Sequence, residues 1–175
     1  MYREPADIYK MSMAIARLTH WDPEAGLTCF LYCLLVREIL NGTRDKLQAW
    51  NNTKDKFLSH TARQFAGAAE SLILIAFNDI EFWHIERLKP SGYTVDSLAC
   101  ALWCFFRSNS FEEAVINAVN LGNDADTIGA ITGGLAGVYW GYMGIPERWL
   151  TKFSSYQVAR LDNVANAFKK VKFVG

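Results

Sequence analysis

Between Leu121 and Trp149 the sequence reads LGNDADTIGAITGGLAGVYWGYMGIPERW, and Asp124, Asp126 and Thr127 put three oxygen donors within four residues. Two carboxylates and a hydroxyl are hard ligands, suited to Mg²⁺, Mn²⁺ or Ca²⁺ rather than to Zn²⁺. Gly122 and Asn123 favour a turn, and the residues from Ile128 onward are small and apolar, so the oxygens are expected at or just before the first turn of a helix. The same residues could do no more than cap that helix, because Asp favours the positive end of a helix dipole.

The glycines behind the cluster weigh against capping alone. Gly129, Gly133, Gly137 and Gly141 recur every fourth residue, with Gly134 beside them. Each forgoes about 0.8–1 kcal/mol relative to Ala in a helix interior, which predicts a neighbouring helix packed close against the stripe. Residues 127–146 carry no charge, and their G-x-x-x-G spacing also occurs in membrane helices. Six glycines in that stretch, acids at its mouth and no flanking basic cluster favour a buried helix in a soluble domain instead. The opening MYREPADIYK lacks an apolar signal core, so the expected location is cytoplasmic and no membrane is expected as a partner.

The elements that must position this cluster are helical nearly everywhere. Within 175 residues, 51% apolar and 21% charged, the sequence predicts one all-α domain over 1–175 with a full core. Eighteen basic residues offset eighteen acidic ones, which argues against a nucleic-acid partner. Residues 5–18 form an amphipathic pattern with Ile8, Met11, Ile15 and Leu18 on one face. Asp22 with Pro23 opens a second helix that Asn41-Gly42 ends, and its residues 27–40 are apolar on almost every side, as a buried helix requires. Residues 43–58 read as polar and helical, and 61–77 as helical and apolar. Lys89-Pro90-Ser91-Gly92 marks a turn, Thr94 is a candidate cap, and Leu98 to Phe106 is apolar all round. Ser110 with Glu113 matches a capping box, Pro146 starts a short helix through Trp149, and 155–170 supplies the last. Cys29/Cys33 and Cys100/Cys104 fall at helical i, i+4 spacing within apolar runs, which suits reduced core thiols better than a Zn²⁺ or iron–sulfur site.

These segments together resemble the ADP-ribosylglycohydrolase family. The resemblance rests on LTHWDPEA at 18–25, SGYTVDSLACALW at 91–103, SFEEAVINAVNLGNDADTIGAITGGLAGVYWG at 110–141 and IPERW at 145–149, in that order. It implies a compact orthogonal multi-helix bundle around a centre of two Mg²⁺ or Mn²⁺ ions. By the same resemblance Asp124, Asp126 and Thr127 are metal ligands, the two Asp residues serve catalysis, and His20 and Tyr93 bind substrate. The substrate would be an ADP-ribosyl small molecule or an ADP-ribosylated protein, cleaved at its glycosidic bond. The family's further acidic ligands, in a G-D-type segment and a D-D-T segment, have no counterpart here, so the resemblance is to the C-terminal half. A homo-oligomer or a partner chain supplying the N-terminal half is therefore expected. The alternative is a non-catalytic binding or structural module of the same fold.

Overall fold

A computed structural model describes residues 4–61, 70–77 and 80–170. Nine α-helices and three short 3₁₀ turns, with no strand among the described residues, build an all-α bundle. They are α1 (Pro5–Ala16), α2 (Pro23–Leu40), α3 (Lys46–Thr61), α4 (Glu70–Phe77), α5 (Thr94–Arg107), α6 (Phe111–Val119), α7 (Ala125–Trp140), α8 (Glu147–Leu150) and α9 (Ser155–Lys170). Residues 62–69 of the expected 61–77 helix lie outside the described residues.

Two helices occupy the centre, as their all-round apolar character requires. α2 starts where the Asp22 carboxylate accepts the Glu24 N–H at 2.9 Å and Pro23 takes the first position. It ends at Asn41, and Gly42 follows with φ +103°. Leu27, Phe30, Leu31, Leu34 and Leu35 are fully buried, each contributing about 1.5–3 kcal/mol relative to exposure. The one buried acid of α2, Glu38, is satisfied by Arg37 at 3.0 Å and by Lys56 of α3 at 2.7 Å. α5 buries every residue from Ser97 to Phe105 and packs against α2, α6 and α7.

Several local expectations are corrected. α1 stops at Ala16 and turns Ser12, Met13 and Ala16 inward, while Met11, Ile15 and Leu18 are exposed and Ile8 is only partly buried. The reason is Gly26 of α2: a Cβ there would collide with Met13 Sδ, so the close approach of the two helices selects the Met13 side of α1. Thr94 is the first residue of α5 rather than its cap; Tyr93 holds that position without a side-chain cap bond. Pro146 likewise precedes α8 instead of starting it. The Ser110/Glu113 box forms, with Ser110 Oγ accepting the Glu113 N–H at 3.1 Å. Glu113 reaches back one residue further than expected, to the Asn109 N–H at 2.6 Å.

The glycine stripe faces α6, which runs antiparallel to α7. A Cβ on Gly129 would lie 3.0 Å from Val119, on Gly133 3.7 Å from Val115, and on Gly137 3.9 Å from Phe111. Only the first is a tight approach, and Gly141 leaves the stripe by ending the helix at φ +75°. The closest contact is the neighbouring Gly134, whose Cβ would stand 2.8 Å from the Tyr32 hydroxyl. That hydroxyl donates to the Ile131 carbonyl at 3.2 Å, tying α2 to α7 across a gap only glycine leaves open. No helix among the described residues is long and apolar enough to cross a membrane.

Candidate functional site

The N-terminal ends of α2, α5 and α7 converge on one cavity of about 690 Å³. Ile15, Thr19 and His20 bring in the end of α1 and the turn after it. Thr28, Cys29, Tyr32 and Cys33 come from α2, Gly92, Thr94 and Ser97 from the turn into α5, and Thr127, Ala130 and Ile131 from α7. The lining is mostly apolar, with the hydroxyls of Thr19, Thr28, Thr94, Ser97 and Thr127 among it.

The turn carrying Asp124 lies beside Gly92, one of the cavity's lining residues. Gly122 at φ +77° and Asn123 at φ +50° take left-handed conformations, which Gly and Asn tolerate best. Asp124 then occupies the cap position of α7 yet makes no side-chain bond to a backbone N–H. Its Oδ1 instead accepts the Thr127 hydroxyl at 2.8 Å, and its N–H donates to the Pro90 carbonyl at 3.4 Å. A Cβ on Gly92 would lie 3.5 Å from Asp124 Oδ2, so the 90–93 turn and the acidic turn are neighbours. The simple capping reading of Asp124 is therefore wrong in its geometry.

That facing turn is itself closed by hydroxyls. Ser97 Oγ donates to the Ser91 carbonyl at 2.7 Å, Ser91 Oγ donates to Asp96 at 3.0 Å, and Ser91 Oγ also accepts the Tyr93 N–H at 3.2 Å. Tyr93 does not line the cavity; its half-exposed hydroxyl donates to Glu24 at the start of α2. The Glu24 carboxylate pushes the Tyr93 hydroxyl up from its usual pKa. His20 lines the cavity and is exposed, with Nδ1 2.9 Å from Thr19 Oγ1.

The structure thus brings His20 and Thr127 to one cavity, sets Asp124 against its Gly92 edge, and leaves Asp126 exposed in the first turn of α7. Sequence reasoning missed Thr19, Thr28, Thr94, Ser97 and Glu24. Thr28, whose hydroxyl lies 3.5 Å from that of Thr94, was the available signal: it is the one aliphatic hydroxyl within the apolar stretch of α2. The four thiols are free, and no group of three or more His, Cys, Asp or Glu side chains able to hold a metal occurs among the described residues.

The donor set nonetheless suits a hard divalent cation. No Lys, Arg or His pairs with Asp124 or Asp126 among the described residues, and the only hydrogen bond to either carboxylate there is from Thr127. Unneutralised carboxylates beside a hydroxyl are the ligands Mg²⁺ and Mn²⁺ take.

Comparison with known proteins decides the family. A sequence model described as ADP-ribosylglycohydrolase matches residues 1–173. The chain belongs to the ADP-ribosylglycohydrolase family. Similar proteins include ADP-ribosylarginine hydrolase Tri1 of Serratia proteamaculans (strain 568), 30% identical over 94% of this chain and 40% of that protein. Tri1 of Pseudomonas putida (strain GB-1) is 43% identical over 81% of this chain and 35% of its own length. ADP-ribosyl-[dinitrogen reductase] glycohydrolase of Rhodospirillum rubrum is 31% identical over 85% and 44%. A solved ADP-ribosylglycohydrolase-related protein complex superposes with a TM-score of 0.64 at 35% identity, covering 85% of this chain and 48% of that one. The chain thus spans less than half the length of these relatives, and they share its family and its helical fold.

Proposed function

We propose that this chain forms one side of an ADP-ribosylglycohydrolase active site, hydrolysing the glycosidic bond between ADP-ribose and a modified protein side chain or related compound. The observation that carries this reading is the Asp124 carboxylate, turned away from helix capping toward Thr127 at the edge of a cavity that His20 also lines. Asp124, Asp126 and Thr127 would hold Mg²⁺ or Mn²⁺, with two ions in the complete site. When bound, the cations would supply electrostatic stabilisation of the charge that develops at the anomeric centre.

The chain's own residues do the binding and orienting. The apolar part of the lining accepts a ring face, and the hydroxyls of Thr19, Thr28, Thr94 and Ser97 in the same lining offer polar contacts. His20, held by Thr19, offers its other ring nitrogen to a ribose hydroxyl or phosphate oxygen. Tyr93, fixed by Glu24, presents an exposed ring beside the turn that faces Asp124, and positions substrate from outside the cavity wall. The further acidic ligands come from residues outside these 175 or from a second chain, and the exposed Leu18 and Trp21 near His20 supply apolar surface for such a partner. Reduced thiols fit a cytoplasmic setting.

A second reading is a binding module without hydrolysis, favoured by the lack of a three-ligand metal cluster among the described residues. Calorimetric titration of ADP-ribose with and without Mg²⁺, alongside release of ADP-ribose from an ADP-ribosylated arginine substrate, separates the two. Metal-dependent binding with turnover supports the hydrolase; binding without turnover, even with an N-terminal partner, supports the module; no binding refutes both.

A further inference from the structure

Cys29/Cys33 and Cys100/Cys104 share one sequence spacing, and the fold treats the two pairs differently. Cys100 and Cys104 are fully buried in α5. Cys29 is exposed and Cys33 half-buried, and both line the candidate cavity, so the first pair departs from the expected core thiols. The two stand one turn apart on the face of α2 that the cavity opens onto. Burial pushes both thiols up, and Cys33 is raised further by Cys29 and lowered by the hydroxyl of buried Ser12 bonded to it. Cys33 is thus held by α1 on one side and meets Cys29 on the other.

The helix fixes what such a pair can bind. Residues four apart on one helix face hold their Cβ atoms about 5–6 Å apart. A disulfide needs about 3.5–4.5 Å, so the two sulfurs cannot join without unwinding α2. An atom between them fits. With each metal–sulfur bond about 2.3 Å long, a linear bridge spans about 4.6 Å from sulfur to sulfur, and rotation about the two Cα–Cβ bonds reaches that span.

The donor set selects the cation. Thiolates are soft ligands and favour Cu(I), whereas a structural Zn²⁺ takes four ligands. No group of three or more His, Cys, Asp or Glu side chains able to hold a metal occurs among the described residues, so a cation satisfied by two sulfurs is the one that this wall suits. Binding replaces two S–H bonds by two Cu–S bonds, releases both protons to solvent and leaves an anionic bis-thiolate complex. The cavity lies where the N-terminal ends of α2, α5 and α7 converge, and their positive dipole ends favour an anion.

We propose that Cys29 and Cys33 form a two-coordinate site for a soft monovalent cation, Cu(I), on the wall of the candidate cavity. It uses none of Asp124, Asp126, Thr127 and His20, so it stands apart from the hydrolase reading.

The test is anaerobic competition for Cu(I) between the full 175-residue chain and bathocuproine disulfonate, a coloured Cu(I) chelator. One Cu(I) per chain is expected, with X-ray absorption showing two sulfur neighbours. Between about pH 6 and 8 the affinity rises about a hundredfold per pH unit, because two protons leave; a one-thiol site would give about tenfold. Cys29→Ala, an exposed change, weakens binding by more than the roughly 10–100-fold that loss of a group behind a ligand costs, and Cys33→Ala does the same. His20→Ala and the double variant Cys100→Ala/Cys104→Ala leave the affinity unchanged. Failure to retain Cu(I) against the chelator, equal affinity in Cys29→Ala, or a tenfold pH slope overturns the proposal. Loss of binding in His20→Ala would make the imidazole a third ligand and overturn the two-coordinate assignment. Loss in the double variant, with its helical circular dichroism intact, would move the site to the buried pair and overturn the proposal equally.

Discussion

Replacing Asp126 by Ala distinguishes a cation ligand from a residue that merely complements a helix dipole. Asp126 is exposed and has no hydrogen-bond or ion-pair partner among the described residues, so without metal the change costs only its place in the first turn of α7, about 0.3–1 kcal/mol. A hard cation held by so few ligands binds with a Kd of about 10⁻⁴–10⁻³ M. At about 10 mM metal that affinity stabilises the fold by about 1.4–2.7 kcal/mol. With about 2.1 cal/mol/K of unfolding entropy per residue over 175 residues, Tm rises by about 4–7 °C. Losing one of the carboxylates weakens binding about tenfold or more, which leaves about half of that shift or less. The assay is differential scanning calorimetry of both proteins across a MgCl₂ or MnCl₂ series, with ionic strength matched by NaCl. The decisive quantity is the metal-dependent change in Tm, because it cancels any difference between the metal-free proteins. Equal shifts in the two proteins, or none in either, would reduce Asp126 to a dipole residue and remove it from the proposed site.

Gly134→Ala should be less stable than Gly133→Ala by about 1–2 kcal/mol in denaturant unfolding, because only at 134 does the methyl displace the Tyr32 hydroxyl and its bond to Ile131; equal stabilities would place Tyr32 elsewhere. Burial raises the thiol of Cys100 to about 11 and that of Cys104 to about 12 from an ordinary 9.0, so the unfolded chain loses these protons first. The stability they contribute is complete below pH 9 and falls as pH rises through 11 to 12, a slope that Cys100→Ala/Cys104→Ala should flatten in alkaline unfolding titrations. Glu24→Gln should weaken ADP-ribose binding with Tm nearly unchanged, since its bond to Tyr93 is exposed; a large fall in Tm would make that bond structural. Removing residues 155–175 should leave stability within about 0.5 kcal/mol, because every residue of α9 is exposed; a larger loss would show that α9 packs onto the bundle.

The legible parts of the fold were those governed by local rules. All-round apolarity placed α2 and α5 at the centre, Asp22-Pro23 and Ser110/Glu113 started their helices, and Asn41-Gly42 stopped one. The α1 stripe misled because Met11, Ile15 and Leu18 have helical spacing but the inward face was selected by a glycine ten residues beyond α1, Gly26. The glycine repeat predicted a packing face correctly, yet its tightest point fell outside the repeat, at Gly134, where the side chain of another helix decides the spacing. Periodicity counts positions along one helix and carries no information about the partner.

The same division runs through the candidate site. The sequence by itself determined which oxygens are available: Asp124, Asp126 and Thr127 lie within four residues, and Gly122 and Asn123 can adopt the left-handed turn that precedes them. It left the orientation of Asp124 open between helix cap and ligand, because both uses suit the same residue at the same place. Tertiary structure decided only the hydrogen bonding: the Pro90 carbonyl and Gly92 lie against the turn, and the carboxylate meets the Thr127 hydroxyl rather than a backbone N–H. It also assembled the cavity, since Thr19, Thr28, Thr94 and Thr127 become neighbours only when α2, α5 and α7 begin at the same end of the bundle. Local chemistry is written in short-range residue order, but a cavity is a property of helix packing, set by which buried faces meet.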